Sequence, residues 1–170
     1  MSDKPNVLFC CLGNICRSPM AEAVFADYIT KNNIRDQFGE IDSCGTADYH
    51  EGEEPDLRTT RVCKNNNVPI NHLARAVRRS DFDKFDYIFG MDTNNLRNLQ
   101  RMQPEGSKAK VMLFSEFDDK ATIYDPYYIG DAAFLTVFEQ CQRYVARQTG
   151  KLTSYSAAFV QALNKKGAQL

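Results

Sequence analysis

The sequence lacks an excess of charge of either sign and any long apolar run. Its formal net charge at neutral pH is −1, which argues against electrostatic binding to nucleic acid or to a membrane surface. The first residues contain no apolar segment typical of a signal peptide, and no later run approaches the length needed to span a bilayer. We therefore expect a cytoplasmic protein without a nucleic-acid or membrane partner.

The sequence also lacks cysteine pairs with C-x-x-C spacing, although it contains six cysteines, at positions 10, 11, 16, 44, 63 and 141. This pattern disfavours a zinc site and a disulfide-stapled scaffold. In a reducing compartment most of these side chains are expected to be buried thiols. No metal and no other cofactor is predicted.

Short apolar stretches alternate with segments of helical periodicity, in a chain of 170 residues that suits one domain. Strands are predicted at 7–10, within 38–46, at 85–92 and at 110–114; helices are predicted at 20–29, 57–67, 93–102 and from Asp131, with a last turn or helix at 154–163. The alternation indicates a single α/β domain, a central parallel sheet of about four strands with helices on both faces. Ser18 is expected to cap the first helix, with Pro19 at its first position, and Asp92 is interpreted as the cap of the helix at 93–102.

The segment after the first strand, Cys11-Leu12-Gly13-Asn14-Ile15-Cys16-Arg17-Ser18, runs directly into a predicted helix. Such a loop directs several backbone N–H groups, and the positive end of the helix dipole, at one point. Gly13 is expected to adopt backbone angles that other residues avoid. Arg17 offers a planar cation that can hold two phosphate oxygens. We therefore predict that the whole loop, residues 11–18, binds a phosphate group.

Cys11 stands at the start of this loop, where the positive potential also favours a thiolate, the nucleophilic form of cysteine. The hydroxyl of Ser18 can donate a hydrogen bond to the sulfur and assist its later departure. A buried core thiol is the alternative, but it does not explain why strand, cysteine, glycine, arginine, Ser-Pro and helix follow in this order. The loop contains neither a Walker A motif nor a dinucleotide-binding fingerprint.

Transfer of a phosphoryl group to a thiolate requires a proton for the leaving oxygen. The segment YDPYY, residues 124–128, offers Asp125 beside a proline and between aromatic residues. An Asp-Pro pair taken alone is more often a turn. Asp125 is therefore a candidate for the general acid, and the local sequence alone does not distinguish this role from a turn.

Support for Asp125 as the general acid comes from a resemblance. The string VLFCCLGNICRSPMAEA, with IDSCGT, NHLARAV, FDYIFGMD and DPYY, resembles the low-molecular-weight protein tyrosine phosphatase family over most of residues 6–145. The resemblance implies hydrolysis of phosphotyrosine proteins and small aryl phosphates through a phosphocysteine, without a metal, and inhibition by phosphate, vanadate or other oxyanions. It implies that Cys11 is the nucleophile, Arg17 binds the phosphoryl oxygens, and Asp125 is the acid and then the base. Residues of about 150–170 extend beyond the usual family end.

The resemblance also implies roles around the loop. A deep pocket that favours phosphotyrosine over phosphoserine is expected to be lined by Leu12, Ile15, Tyr49, Tyr127 and Tyr128. Ile15 stands where a bacterial subgroup that acts on phosphoarginine has threonine, and it favours phosphotyrosine. A supporting role for the loop is expected from Asn14, Ser18, Ser43 and His72, together with Asp42.

Cys16 either packs at the start of the first helix or acts as a resolving thiol. The resemblance implies the second role, a protective disulfide with Cys11 when the nucleophile is oxidised. Cys10 departs from the apolar residue usual in the family and leaves the identity of the redox partner open. Tyr127 and Tyr128 resemble positions that are phosphorylated in some members. We expect a monomer or weak self-association.

Two alternative functions are compatible with parts of this pattern. An arsenate reductase-like enzyme shares the loop, but some of those reductases use two further cysteines in a segment that is SDFDKFDYIFG here and contains none. A non-catalytic phosphotyrosine-binding module would have lost Cys11, Arg17 or Asp125, and all three are present.

Overall fold

The structure, a computed structural model, describes residues 4–167, with the side chains of residues 4–153. The strands and helices are β1 (Val7–Cys11), α1 (Arg17–Lys31), β2 (Ile41–Gly45), α2 (Leu57–Asn65), α3 (Asp81–Lys84), β3 (Tyr87–Gly90), α4 (Thr93–Met102), β4 (Lys110–Leu113) and α5 (Asp131–Gly167), with a 3₁₀ turn at Arg35–Gln37. Within the searched residues, no helix combines the length and apolarity that crossing a membrane requires.

The four strands form one parallel sheet in the order β2-β1-β3-β4. The chain leaves β1 to one side to form β2 and then crosses back to form β3 on the other side. The strand order therefore reverses at the carboxyl end of β1, and a crevice opens at such a reversal. The prediction of an α/β fold with a four-stranded parallel sheet is confirmed.

Apolar layers cover both faces of the sheet, because successive side chains of a strand point to opposite faces. On one face, Phe9 of β1 packs in a cluster with α1 and α5, and its ring lies 5.5 Å from that of Phe25. On the other face, Leu8 of β1 packs in a cluster with Phe82 of α3 and Leu99 of α4. All five residues of β1 are buried, so the strand that carries Cys11 is held from both sides.

The helices differ from the predicted ones in three respects. Helix α1 begins at Arg17 with Cys16 as its N-cap. The predictions that Ser18 is the cap and that Pro19 is the first helical residue are therefore wrong. The hydroxyl of Ser18 bonds the carbonyl of Cys44 and the amide of Asn14 instead of a helix N–H group. Helix α3 was not predicted. Helix α5 runs without a break through 154–163, whose side chains, like residues 168–170, lie outside the described part of the chain.

Candidate active site

The loop after β1 bends around the sulfur of Cys11. The Sγ atom lies 3.1 Å from Oγ of Ser18 and accepts a hydrogen bond from the backbone nitrogen of Asn14 at 3.3 Å. Cys11 is only 3% exposed, and it lies against a cavity of about 320 Å³. The thiol is therefore sheltered, yet it faces the space that a ligand would fill.

Asn14 holds the loop in shape. Its φ angle is +58°, in the left-handed region that asparagine tolerates better than most residues. Its Oδ1 accepts hydrogen bonds from Nε2 of His72 at 2.7 Å and from the backbone nitrogen of Arg75 at 3.0 Å. Its Nδ2 donates to Oγ of Ser18 at 2.8 Å and to Oγ of Ser43 at 3.0 Å. The buried amide thus ties the loop to β2 and to the segment around residue 72.

Gly13 is needed for a different reason from the one predicted. It is not among the positive-φ glycines, and the left-handed residue of the loop is its neighbour Asn14. A Cβ atom on Gly13 would lie 2.9 Å from Cδ2 of His50. A side chain at position 13 would therefore have to displace this imidazole ring, whereas the backbone angle of Gly13 is not unusual.

The guanidinium of Arg17 is buried and fixed at several points. Its Nη1 donates to Oδ2 of Asp92 at 2.6 Å and to the carbonyl oxygen of Ile123 at 3.0 Å, and its Nη2 lies 3.5 Å from Oδ2 of Asp125. Burial alone would lower the pKa of Arg17, but the charge of Cys11 and the hydrogen bond to Asp92 raise it. Arg17 therefore presents a permanent, oriented positive charge to the cavity.

Asp92 uses both carboxylate oxygens. Oδ1 accepts a hydrogen bond from the backbone nitrogen of Asn95 at 2.7 Å, which confirms the predicted cap of α4, and Oδ2 holds Arg17. This second contact was not predicted. No local pattern signals it, because 75 residues separate the partners.

The residues expected to form a substrate pocket do line one cavity. It is bordered by Leu12, Ile15, Tyr49, Tyr127 and Tyr128, together with Asp125 on the rim. The rings of Tyr127 and Tyr128 meet edge to face, with centroids 4.7 Å apart. His50 also lines the cavity and was not predicted.

Asp125 and the tyrosines are fixed to α2 through Arg58, which the sequence analysis also missed. Oδ1 of Asp125 accepts a hydrogen bond from the backbone nitrogen of Tyr127 at 3.1 Å. Arg58 donates to the carbonyl oxygen of Tyr127 at 3.2 Å and lies over its ring, 5.3 Å from the centroid. Asp56 binds the same guanidinium at 2.9 Å and caps α2. The side chain of Asp125 itself is 43% exposed, so its carboxyl can meet a ligand.

Two carboxylates face the second nitrogen of His72. Its Nδ1 lies 3.3 Å from Oε1 of Glu22 and 3.6 Å from Oδ1 of Asp42. Among the described residues, these three side chains lie close enough together to hold a metal ion, with ligand atoms within 4.8 Å of one another. Burial raises the pKa of Glu22, against the effect of His72, which lowers it. Because Nε2 is already bonded to Asn14, we interpret the cluster as support for the loop.

Cys16 and Cys10 are placed differently relative to the cavity that Cys11 lines. Cys16 lines the cavity, and burial followed by the charge of Asp56 raises the pKa of its thiol. Cys10 belongs to the apolar layer on the opposite face from Cys11 and neighbours Cys44 of β2. Burial and this neighbour raise the pKa of Cys10. Of the two, Cys16 is thus the cysteine that shares the cavity with Cys11.

Comparison with known proteins agrees with this geometry. The model of the family described as Low molecular weight phosphotyrosine protein phosphatase matches residues 6–168. This chain belongs to that family. The low molecular weight phosphotyrosine protein phosphatase of Schizosaccharomyces pombe is 52% identical over 137 residues, which are 79% of this chain and 88% of the relative. The resemblance stated from the sequence is confirmed.

Solved structures of the phosphatase fold also superimpose on the chain. A protein tyrosine phosphatase from Entamoeba histolytica, with Hepes in its active site, matches with a TM-score of 0.83 and 35% identity over 89% of this chain and 98% of its own. A Drosophila arginine phosphatase matches with a TM-score of 0.80 and 34% identity over 86% of this chain and 96% of its own. The two names differ in the phosphorylated residue, although both proteins share this fold.

Proposed function

We propose that this phosphatase hydrolyses phosphotyrosine and small aryl phosphates through a phosphocysteine on Cys11, without a metal. The observation that carries the proposal is the placement of three groups around one cavity. The Cys11 sulfur lies at its base, the Arg17 guanidinium at its side and the Asp125 carboxyl on its rim. A nucleophile, a cation for the phosphoryl oxygens and a proton donor are what this transfer needs.

In the first step, the thiolate of Cys11 attacks phosphorus in line with the leaving group. The S–P bond forms as the P–O bond to the phenol breaks. Asp125, in its protonated form, gives its proton to the departing oxygen, so that a neutral phenol leaves. The charge on the phosphoryl oxygens meets Arg17 and the loop N–H groups, which are already oriented before the substrate arrives.

In the second step, water attacks the phosphorus of phosphocysteine, and the carboxylate of Asp125 accepts a proton from that water. The P–S bond breaks, inorganic phosphate leaves, and the electron pair returns to the sulfur. The backbone N–H of Asn14 is placed to stabilise the released thiolate, at 3.3 Å from it. The Ser18 hydroxyl, 3.1 Å from the sulfur, stabilises it as well once its proton turns from the carbonyl oxygen of Cys44 to the thiolate. The same loop suits inhibition by phosphate, vanadate or other oxyanions, and the Hepes in the Entamoeba enzyme carries a sulfonate.

The cavity walls support phosphotyrosine as the substrate. Tyr49, Tyr127 and Tyr128 line the cavity with exposed aromatic side chains. These rings can flank a phenyl ring above Cys11. Leu12 and Ile15 offer apolar contacts lower in the cavity. Phosphoserine is too short to use these walls. The planar cation of phosphoarginine would have to lie beside Ile15, which offers it no hydrogen bond.

The redox and cellular expectations extend the same proposal. Cys16 lies in the cavity with Cys11 and is our candidate for the cysteine that traps an oxidised nucleophile. All six cysteines are free thiols in the structure, which fits a reducing, cytoplasmic compartment. Tyr128 is 92% exposed, so a kinase could reach it. The monomeric or weakly associating state and the single domain over 1–170 stay predictions.

Hydrolysis of p-nitrophenyl phosphate and a phosphotyrosine peptide, in the presence of EDTA, tests the proposal. We expect turnover by the wild-type protein and none by Cys11→Ser, which should still bind vanadate. The same assay with phosphoserine and phosphoarginine peptides should give much lower kcat/KM. Wild-type protein that binds phosphotyrosine without turnover would favour the binding module. Activity that survives Cys11→Ser would rule out the phosphocysteine.

A further inference from the structure

A second cavity adjoins the first on the side of α4. Its volume is about 470 Å³, and it shares Leu12, Arg17 and Asp125 with the cavity above Cys11. The rest of its lining comes from Asp92 and one face of α4. A ligand whose phosphate lies at Cys11 can therefore place a neighbouring group in this second cavity.

The α4 face that lines this cavity is basic. Asn94, Arg97 and Arg101 follow one another at spacings of three and four residues, so they share one side of the helix. Both arginines are exposed, and neither forms an ion pair with another residue in the described part of the chain. Like charges four residues apart disfavour a helix slightly. Arg101 lies in the last turn of α4, where a basic residue favours the helix, but the stability of α4 gives no reason for Arg97.

The acidic groups of the second cavity are engaged elsewhere. Asp92 binds Arg17 with one oxygen and caps α4 with the other. Asp125 faces Arg17 at 3.5 Å and the backbone nitrogen of Tyr127 at 3.1 Å. The uncompensated charge in the outer part of the cavity is therefore positive.

The rim of the first cavity on the side away from α4 is negatively charged. The segment 48–56, whose Tyr49 and His50 line the first cavity, contains no lysine or arginine and five carboxylates: Asp48, Glu51, Glu53, Glu54 and Asp56. Glu53 lies 2.8 Å from His50 and Asp56 pairs with Arg58 at 2.9 Å, so the uncompensated negative charge comes from the other three. A peptide lying across the cavity would meet positive charge on the α4 side and negative charge on the other.

We propose that the second cavity, which we term the α4 subsite, binds an acidic side chain of the substrate close to its phosphotyrosine. Arg97 and Arg101 supply the cationic groups, and the amides of Asn94 and Asn98 supply further hydrogen-bond donors. This inference rests on the proposed phosphotyrosine activity and names the class of peptide that the same site prefers. The acidic segment 48–56 disfavours a second carboxylate on the opposite side.

The test is steady-state hydrolysis of a set of phosphotyrosine peptides that differ at one position. Each position up to three residues before or after the phosphotyrosine carries Asp, Asn or Lys in turn. An exposed charge pair changes affinity by a factor of about two to five, so the wild-type kcat/KM should favour Asp over Asn by about fivefold at one or more positions. The preference should shrink as NaCl is raised, because salt screens exposed charges.

Three variants decide whether α4 is responsible. In the double variant Arg97→Gln/Arg101→Gln, the ratio of Asp to Asn peptides should fall to about one, and in Arg97→Glu/Arg101→Glu the Lys peptide should become the better substrate. Arg79→Gln is the matched control, since Arg79 is exposed and lines neither cavity. It should keep the wild-type ratio.

The kcat/KM values of each variant for the peptides are normalised to its kcat/KM for p-nitrophenyl phosphate, because that substrate carries no second anionic group. If the wild-type protein hydrolyses p-nitrophenyl phosphate but its ratio of kcat/KM for Asp and Asn peptides is near one at every position, the α4 subsite is ruled out. The proposed phosphatase activity then remains. A ratio that persists in Arg97→Gln/Arg101→Gln would likewise rule out the α4 subsite. Absence of turnover on every substrate would instead overturn the proposed function, and the inference with it.

Discussion

Asp92 and Arg17, 75 residues apart in the chain, are joined by a hydrogen-bonded ion pair of 2.6 Å. The same carboxylate caps α4 with its other oxygen. The position of Arg17, which we propose to bind the phosphoryl oxygens, therefore depends on the start of a helix on the other face of the sheet. This coupling connects the packing of the fold with the geometry of the candidate active site.

Asp92→Asn is expected to separate these two functions. The amide oxygen can still cap α4, but the charge that holds Arg17 is lost. We expect kcat/KM for p-nitrophenyl phosphate to fall on the order of 10- to 100-fold, since small misplacements of a binding group have effects of this size. Inhibition by inorganic phosphate should weaken in parallel.

Asp92→Ala is the companion variant, because it removes the cap as well. It should lower the free energy of unfolding by a further ~0.5–2 kcal/mol. Wild-type kcat/KM and phosphate inhibition in Asp92→Asn would show that Ile123 and the loop position Arg17 without the carboxylate.

Asp125→Asn tests the general acid. The amide has no proton to give to the leaving oxygen, and general acids contribute on the order of 10²–10⁴-fold. Aryl phosphates with poor leaving groups, such as phosphotyrosine peptides, should therefore slow much more than p-nitrophenyl phosphate. Plots of log kcat/KM against the pKa of the leaving phenol give the measurement. Equal slowing across the series would remove Asp125 from this role.

Ser18→Ala should slow the second chemical step. Its hydroxyl lies 3.1 Å from the sulfur that must leave as a thiolate. A hydrogen bond to a charged group contributes ~1.5–3 kcal/mol, which corresponds to a loss on the order of 10- to 100-fold. Rapid mixing with p-nitrophenyl phosphate should show a burst of p-nitrophenol followed by slow turnover.

The matched control is Ser115→Ala, another buried serine, whose hydroxyl donates to the carbonyl oxygen of Ala121 at 2.7 Å. It should change stability without producing a burst. A Ser18→Ala variant with a wild-type steady-state rate would mean that the backbone N–H of Asn14 suffices to stabilise the thiolate.

Trapping of oxidised Cys11 by Cys16 should depend on pH. Peroxide converts the Cys11 thiolate to a sulfenic acid, and attack by the Cys16 sulfur then forms the disulfide and releases water. Burial raises the pKa of Cys16, so its thiolate fraction is small at neutral pH and rises with pH. Disulfide formation, followed by mass spectrometry after thiol alkylation, should accelerate roughly tenfold per pH unit.

Cys16→Ser should instead lose activity irreversibly after peroxide, with sulfinic acid at Cys11. Cys63→Ser serves as the control, because burial raises the pKa of that thiol to about 12 and it does not line the cavity. Recovery of Cys16→Ser by dithiothreitol, to the same extent as Cys63→Ser, would exclude Cys16 as the trapping residue.

The α/β fold, its strand order apart, could be read from the sequence because the patterns involved are local. The apolar run at β1, the helical spacing after Pro19 and the Asp92 cap all act over fewer than ten residues. Residues 11–18 could be recognised as a candidate phosphate-binding loop for the same reason. Its cysteine, arginine and helix start are contiguous, and the resemblance to the phosphatase family extends that string to Asp125.

The tertiary structure decided what depends on residues far apart in the chain. The contact of His50 with Gly13, the anchoring of Tyr127 by Arg58 and the pairing of Arg17 with Asp92 join separate elements at the carboxyl edge of the sheet. Even the local error about Ser18 has this origin, because its hydroxyl is taken by Asn14 and by the β2 carbonyl of Cys44. Sequence spacing determined which groups the loop contains and hence the chemistry that we propose for it, whereas packing determined how each group is oriented.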